Sequence, residues 1–261
     1  MKKDKSVIFF DIDGTLLTEE KKLPNSTKES IFKLKELGHE VAIATGRAPF
    51  MFKELREELG IDTYVSYNGQ YVVLKGEVIY RNPLNSEGLE KLTEYALENE
   101  HPVVFMNHEE MKANVGEDHH YIKESINSLK IYQFPSHDPE FYKGREIYQS
   151  LLFNKAPEEL KYEEKFKDFD FVRWHSMSAD IVPKGGSKAI GIEKVVERLG
   201  FSKEQQYAFG DGLNDIEMLK QIENSVAMGN GEEEAKQAAR YVTKAVEEDG
   251  ILHGLKMVGL L

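Results

Sequence analysis

The chain contains no cysteine. That excludes disulfides, zinc–thiolate sites and thiol catalysis from its 261 residues. Positive charge is also scarce: 34 lysines and arginines stand against 46 aspartates and glutamates, a net charge of −12. Such a balance lacks the basic footprint that nucleic acid or an anionic membrane surface demands. No apolar run approaches the about 20 residues of a membrane span. The run Val7–Phe10 is too short for the apolar region of a secretion signal and gives way at once to Asp11. Internal repeats and low-complexity tracts are missing. PKGGSK lacks the spacing of a P-loop, the GNG at Gly229–Gly231 lacks the third glycine of a dinucleotide fingerprint, and His119-His120 has no HExxH partner and reads as a solvated loop. The expectation is a soluble, cytoplasmic protein that binds neither nucleic acid nor membrane. Its 40% apolar content is enough for one large core or two modest ones.

What the chain does have is VIFFDIDGTLL. Val7 to Phe10 read as a short buried strand that runs straight into Asp11 and Asp13. Side chains two apart in an extended segment point the same way, so two carboxylates meet where an apolar strand ends. Their repulsion needs a cation or a shared proton to hold them there. The carboxyl ends of strands are where open α/β sheets bind ligands. FGDGLNDIEML repeats the pattern late in the chain, with a strand at Tyr207 to Gly210 followed by Asp211, Asn214 and Asp215. VAIATGR supplies another strand, ending at Thr45-Gly46-Arg47, and PKGGSKAIGI puts Lys188 at a helix start.

The rhythm of the first 69 residues is strand, helix, strand, helix, strand, which predicts a parallel sheet with helices on both faces. Ser26 with Glu29 reads as a capping box before Ile31, Leu34 and Leu37, and Gly38 as the stop. A helix is expected over Pro49 to Leu59 and a hairpin around Lys75-Gly76. From Pro83 to Pro183 the pattern becomes that of an α+β insert with its own small core, and after Lys188 the earlier rhythm resumes. The expected organisation is a Rossmann-like core, 1–82 and 184–261, interrupted by an inserted α+β cap domain, 83–183.

Phosphoryl transfer needs an in-line nucleophile, neutralised charge and an acid for the leaving oxygen. Asp11 is placed for attack, forming an aspartyl-phosphate, and Asp13 for proton transfer. Magnesium favours oxygen ligands, which Asp11, Asp211 and a backbone carbonyl of the Asp11–Asp13 loop can supply. Thr45, the Gly46 amide and Asn214 can hydrogen-bond phosphoryl oxygens, and Lys188 can balance the charge of nucleophile and phosphate. Asp215 can orient Lys188 or a metal-bound water.

DIDGTLL, ATGR, Lys188 after GGS, and GDGLND together resemble the haloacid dehalogenase superfamily of phosphatases, and the insert between ATGR and Lys188 resembles its Cof-type branch. The resemblance runs the length of the chain. It implies a Rossmann-like core, a mobile α/β cap and magnesium-dependent hydrolysis of phosphate monoesters. It makes Asp11 the nucleophile and Asp13 the general acid/base. Asp11, the Asp13 carbonyl and Asp211 become magnesium ligands, and Thr45, Gly46, Lys188 and Asn214 the phosphate site. The implied partner is a small phosphorylated metabolite, such as a sugar phosphate or cofactor phosphate; oligomeric state is left open. Two other readings stand beside this one. A sugar phosphomutase would use the same aspartates, and phosphate release without an isomerised product separates it. A silent phosphometabolite-binding module would keep the fold without turnover, and the presence of Asp11, Asp13, Lys188 and Asp211 counts against it.

Overall fold

A computed structural model describes residues 5–116, 118–130 and 133–261. Its elements in chain order begin with β1 (Val7–Phe10), α1 (Asn25–Glu36), β2 (Glu40–Ala44), α2 (Lys53–Leu59), β3 (Thr63–Ser66), β4 (Tyr71–Leu74) and β5 (Glu77–Arg81). They continue with α3 (Ser86–Glu98), β6 (Val103–Met106), β7 (Met111–Ala113), α4 (His120–Ser128), β8 (Ser136–His137), β9 (Gln149–Leu152), α5 (Leu160–Lys165), β10 (Phe169–His175) and β11 (Ser178–Pro183). The last are α6 (Lys188–Leu199), β12 (Gln206–Gly210), α7 (Ile216–Gln221), β13 (Asn224–Ala227), α8 (Glu233–Ala238), β14 (Tyr241–Val242) and α9 (Gly250–Met257). The chain divides into two compact units. One takes in the chain through Arg47, Phe52–Arg81 and Ser187–Leu261; the other takes in Ala48–Met51 and Asn82–Gly186.

The first unit is built on a sheet of order β14-β13-β12-β1-β2-β3-β4-β5. It is parallel from β14 to β3, and the β4–β5 hairpin adds antiparallel strands at one edge. The register sets Phe10 level with Ile43 and Phe209, so β1, β2 and β12 end side by side. Both faces are covered, as continuous apolar strands require. Val7, Phe9 and Ala208 pack with Ile192 and Val195 of α6. On the opposite face Phe10 stacks on Phe209 at 5.0 Å, and the Gly254 backbone of α9 lies against Phe209. Gly191 lets α6 press on the sheet: a Cβ there would come 2.4 Å from Val65 Cγ1. That close approach fixes the helix start, which carries Lys188.

The second unit has a sheet of order β10-β11-β9-β6-β7-β8, antiparallel except for the β7–β8 pair. One face packs Val103, Phe105, Leu152 and Ile181 against Leu89, Leu92 and Ala96 of α3 and Tyr162 of α5. Asn85 caps α3 by accepting the Gly88 N–H at 2.8 Å.

Several local expectations change. The Ser26–Glu29 capping box does not form. Helix α1 starts at Asn25 after Pro24, and the Ser26 hydroxyl donates instead to Asp249 Oδ1 at 2.6 Å. A proline before the first turn already fixes the entry dihedral, so the helix begins earlier than the serine. The stretch Pro49–Phe52 is a 3-10 turn ahead of α2, and His120 opens a helix where a loop was expected. Strands β7, β8 and β14 and helix α9 were not foreseen.

Candidate active site

Asp11 continues β1 by one residue, and its N–H still donates to Phe209 O at 2.9 Å. Its side chain, 8% exposed, leaves the strand at the common edge of β1, β2 and β12. Lys188, with no exposed surface, donates from Nζ to Asp11 Oδ1 at 2.5 Å and to Asp215 Oδ1 at 2.7 Å. The second oxygen of buried Asp215 accepts the N–H groups of Asp211 at 3.0 Å and Gly212 at 2.9 Å. An ammonium is thus shared by two carboxylates, one of them tied down by backbone. Burying such charges is expensive unless each is paired and hydrogen-bonded.

The electrostatics follow from that packing. Burial raises the Asp11 carboxyl well above the usual range; Lys188 opposes this, and Asp215, Asp211 and Asp13 add to it. Burial alone would lower the Lys188 ammonium, but Asp11 and Asp215 outweigh it and hold Lys188 above its ordinary value. Asp211 accepts the Thr15 hydroxyl at 2.7 Å. Burial pushes its carboxyl up to about 6 despite that bond, with Asp215 adding repulsion.

Carboxylate oxygens of Asp11, Asp211 and Asp215 lie within 4.8 Å of one another. An all-oxygen set of this kind fits a hard divalent cation such as magnesium. Both oxygens of Asp215 are already engaged, so Asp11 and Asp211 hold the spare capacity. Gly14, at φ +77°, turns the backbone of the Asp11–Asp13 loop against them: a Cβ there would sit 2.1 Å from Asp211 Oδ2. Only glycine adopts that conformation and that approach without strain.

The Asp13 carboxylate is directed elsewhere. Arg47 grips it with two bonds, Nε to Oδ2 at 2.7 Å and a terminal nitrogen to Oδ1 at 2.6 Å, and Lys21 Nζ adds a third at 2.6 Å. Burial pushes this carboxyl up, but Arg47 and then Lys21 outweigh it and hold it below the usual range. Thr45 is buried at the end of β2, where its hydroxyl oxygen accepts the Arg47 N–H at 3.1 Å and its own hydrogen is left to donate. Gly46 faces the Asn68 side chain. Asn214 is exposed and donates to Asn68 Oδ1 at 3.2 Å.

The structure therefore brings Asp11, Lys188, Asp211 and Asp215 into one cluster. Asp13 sits in a separate ion-paired group, and Asn214 is linked to neither. Thr15 was expected to bring a hydroxyl beside Asp11 and Asp13, and that hydroxyl donates to Asp211. Sequence reasoning gave no role to Lys21, Arg47, Asn68 or Asn230, whose amide donates to Gly14 O at 2.9 Å. Arg47 stands inside a quoted motif, and Asn68-Gly69 is a turn dipeptide with Asn68 at φ 49°. Lys21 carried no signal.

Comparison with known proteins shows the family. Residues 8–255 match a family model described as haloacid dehalogenase-like hydrolase. A Bacillus subtilis (strain 168) protein named "Putative phosphatase YkrA" is 50% identical over 258 residues, 99% of each chain. Another from the same organism, "5-amino-6-(5-phospho-D-ribitylamino)uracil phosphatase YcsE", is 28% identical over 97% of this chain and 95% of its own. The solved structure of the "HAD Subclass IIB Sugar Phosphatase BT4131" superposes with a TM-score of 0.83 at 30% identity, covering 98% of this chain and 100% of that one. The chain belongs to the haloacid dehalogenase-like hydrolases, and to the phosphatases among them.

Proposed function

We propose that the chain hydrolyses phosphate monoesters of small metabolites through an aspartyl-phosphate on Asp11. In the first step Asp11 attacks phosphorus, the bond to the leaving oxygen breaks, and Asp13 in its acid form protonates that oxygen. In the second, Asp13 as carboxylate takes a proton from water, whose oxygen attacks phosphorus and returns Asp11. Lys188 offsets charge on Asp11 and on the phosphoryl group, while Asp215 keeps Lys188 in place. Thr45, the Gly46 N–H and the Asn214 amide hydrogen-bond the phosphoryl oxygens. Magnesium, held by Asp11, Asp211 and the Asp13 carbonyl, would supply further neutralisation of the charge that builds on those oxygens.

The Arg47 and Lys21 contacts favour the carboxylate form of Asp13, which suits the second step. The first step needs the acid form, so these contacts must loosen while substrate is bound. Relatives named for sugar phosphate and phosphoribitylamino-uracil phosphatase activity motivate the substrate class, a phosphorylated sugar, polyol or cofactor precursor.

The observation that carries this reading is the buried Asp11 carboxylate, set at a strand end and bonded to Lys188. A panel of phosphorylated metabolites and an aryl phosphate, assayed for released phosphate with magnesium and with chelator, tests it. Magnesium-dependent release is expected from several esters; release of none, or full release in chelator, refutes it.

A further inference from the structure

Strand β3 runs into a turn, Tyr67–Gly69, whose residues all take positive φ: 52°, 49° and 99°. Asparagine tolerates that region, but a tyrosine there is strained. Such conformations persist only where the surroundings hold them, and they gather at functional sites. Here the Tyr67 N–H donates to Arg47 O at 3.2 Å and the Asn68 N–H to Thr45 O at 3.0 Å, while the Tyr67 side chain is fully buried. On its other side the turn meets the start of α6. A Cβ on Gly69 would stand 2.1 Å from Ser187 O, one residue before Lys188.

The turn delivers the Asn68 carboxamide between two segments of the candidate site. Its Nδ2 lies 3.1 Å from the point that a Gly46 Cβ would occupy, and its Oδ1 accepts from Asn214 Nδ2 at 3.2 Å. Asn214 Oδ1 lies against Gly212, where a Cβ would come within 2.8 Å of it. The Asn214 carboxamide is thus held at both ends. Its NH₂ carries two donors, and Asn68 takes one of them. Asn214 is exposed, so without these contacts its side chain would sample several rotamers. One short turn therefore touches the Thr45–Arg47 segment, the helix start that carries Lys188, and Asn214.

We propose that Asn68 is a positioning residue for phosphoryl binding: its Oδ1 fixes the Asn214 carboxamide, so that the remaining Asn214 N–H meets a phosphoryl oxygen together with the Thr45 hydroxyl and the Gly46 N–H. A donor held in place beforehand loses less conformational freedom when the ligand arrives. The proposal rests on the reading of Thr45, Gly46 and Asn214 as the phosphate site. A plain turn role predicts something else. Asparagine would then serve only its left-handed backbone, and glycine would replace it without loss.

Asn68→Gly separates the two roles, because it removes the carboxamide and keeps the backbone conformation. Inorganic phosphate is titrated calorimetrically into the protein in the presence of magnesium. Asn68→Gly should bind it about tenfold more weakly than wild type, with unchanged far-ultraviolet circular dichroism and urea midpoint. Asn214→Ala should lose at least as much. The double variant should bind no more weakly than Asn214→Ala alone, because Asn68 acts through Asn214. This pattern in a protein that releases phosphate from no ester would uphold the positioning role and refute the phosphatase reading. No phosphate binding by wild type, equal affinity in wild type and Asn68→Gly, or losses that add in the double variant would overturn the proposal.

Discussion

In the catalytic unit, Lys188 stands between Asp11 and Asp215, Arg47 and Lys21 hold Asp13, and Thr15 donates to Asp211. In the insert, Arg173 and Glu159 are paired on one sheet face, while on the other burial raises the Asp180 carboxyl, with only the uncharged Trp174 and Gln149 opposing it. The first unit meets buried charge with opposite charge and with backbone bonds, the arrangement that a preorganised site for a charged group requires. The insert leaves one buried carboxyl without a counter-charge, and its pKa rises instead.

The comparison can be broken at its strongest point first. Asp11→Asn should lower kcat by about 10⁴-fold or more with the fold retained, since an amide keeps the shape but is a poor nucleophile; phosphate-release kinetics beside circular dichroism check it. Exhaustive chelation should lower activity by about 10³-fold, restored by magnesium and inhibited by calcium, whose longer bonds and higher coordination disturb the attack. Lys188→Met should cost about 10²–10³ in kcat. It should also cost about 3–5 kcal/mol of stability in urea titrations, because Asp11 and Asp215 are left buried without a counter-charge.

Smaller effects sharpen the picture. Asp211 is raised to about 6, so at pH 7 the folded, metal-free protein bears the cost of ionising it. Asp211→Asn should therefore raise the metal-free Tm by about 2–4 °C while removing the further rise that magnesium gives. Arg47→Ala should cost about 1 kcal/mol at pH 7, a modest figure because the Asp13 side chain is 40% exposed. Asp13 is lowered in the fold, so this contribution is fully present above the unfolded carboxylate value near 4 and fades as pH falls through the folded one. Wild type and variant should converge once the pH is below the folded-state value of Asp13.

Much of the catalytic unit was legible in the sequence because its residues sit at fixed offsets from strand ends. An apolar run followed by Asp11, or by Asp211 and Asp215, announces both the strand and what it delivers. What escaped notice depends on contacts between distant segments. Lys21 reaches Asp13 from a loop without periodicity, and Asn68 meets Asn214 across 146 positions of chain. Within the insert, Asp180 interrupts a strand whose neighbours read as apolar, a visible anomaly in SADIVP. Which residues surround it appears only once the register sets Gln149 and Trp174 beside it. Strands as short as Ser136–His137 and Tyr241–Val242 hold too few residues for any period to register.

Nucleophilic attack by Asp11 is tested most directly by trapping its product. Enzyme turning over an aryl phosphate with magnesium is quenched, reduced with borohydride and digested, and the peptide containing VIFFDIDGTLL is sequenced by mass spectrometry. An aspartyl-phosphate is reduced to homoserine, so attack by Asp11 predicts homoserine at position 11 in wild type and none in Asp11→Asn. Unmodified aspartate at position 11 during steady turnover, or homoserine at Asp13 instead, would contradict it.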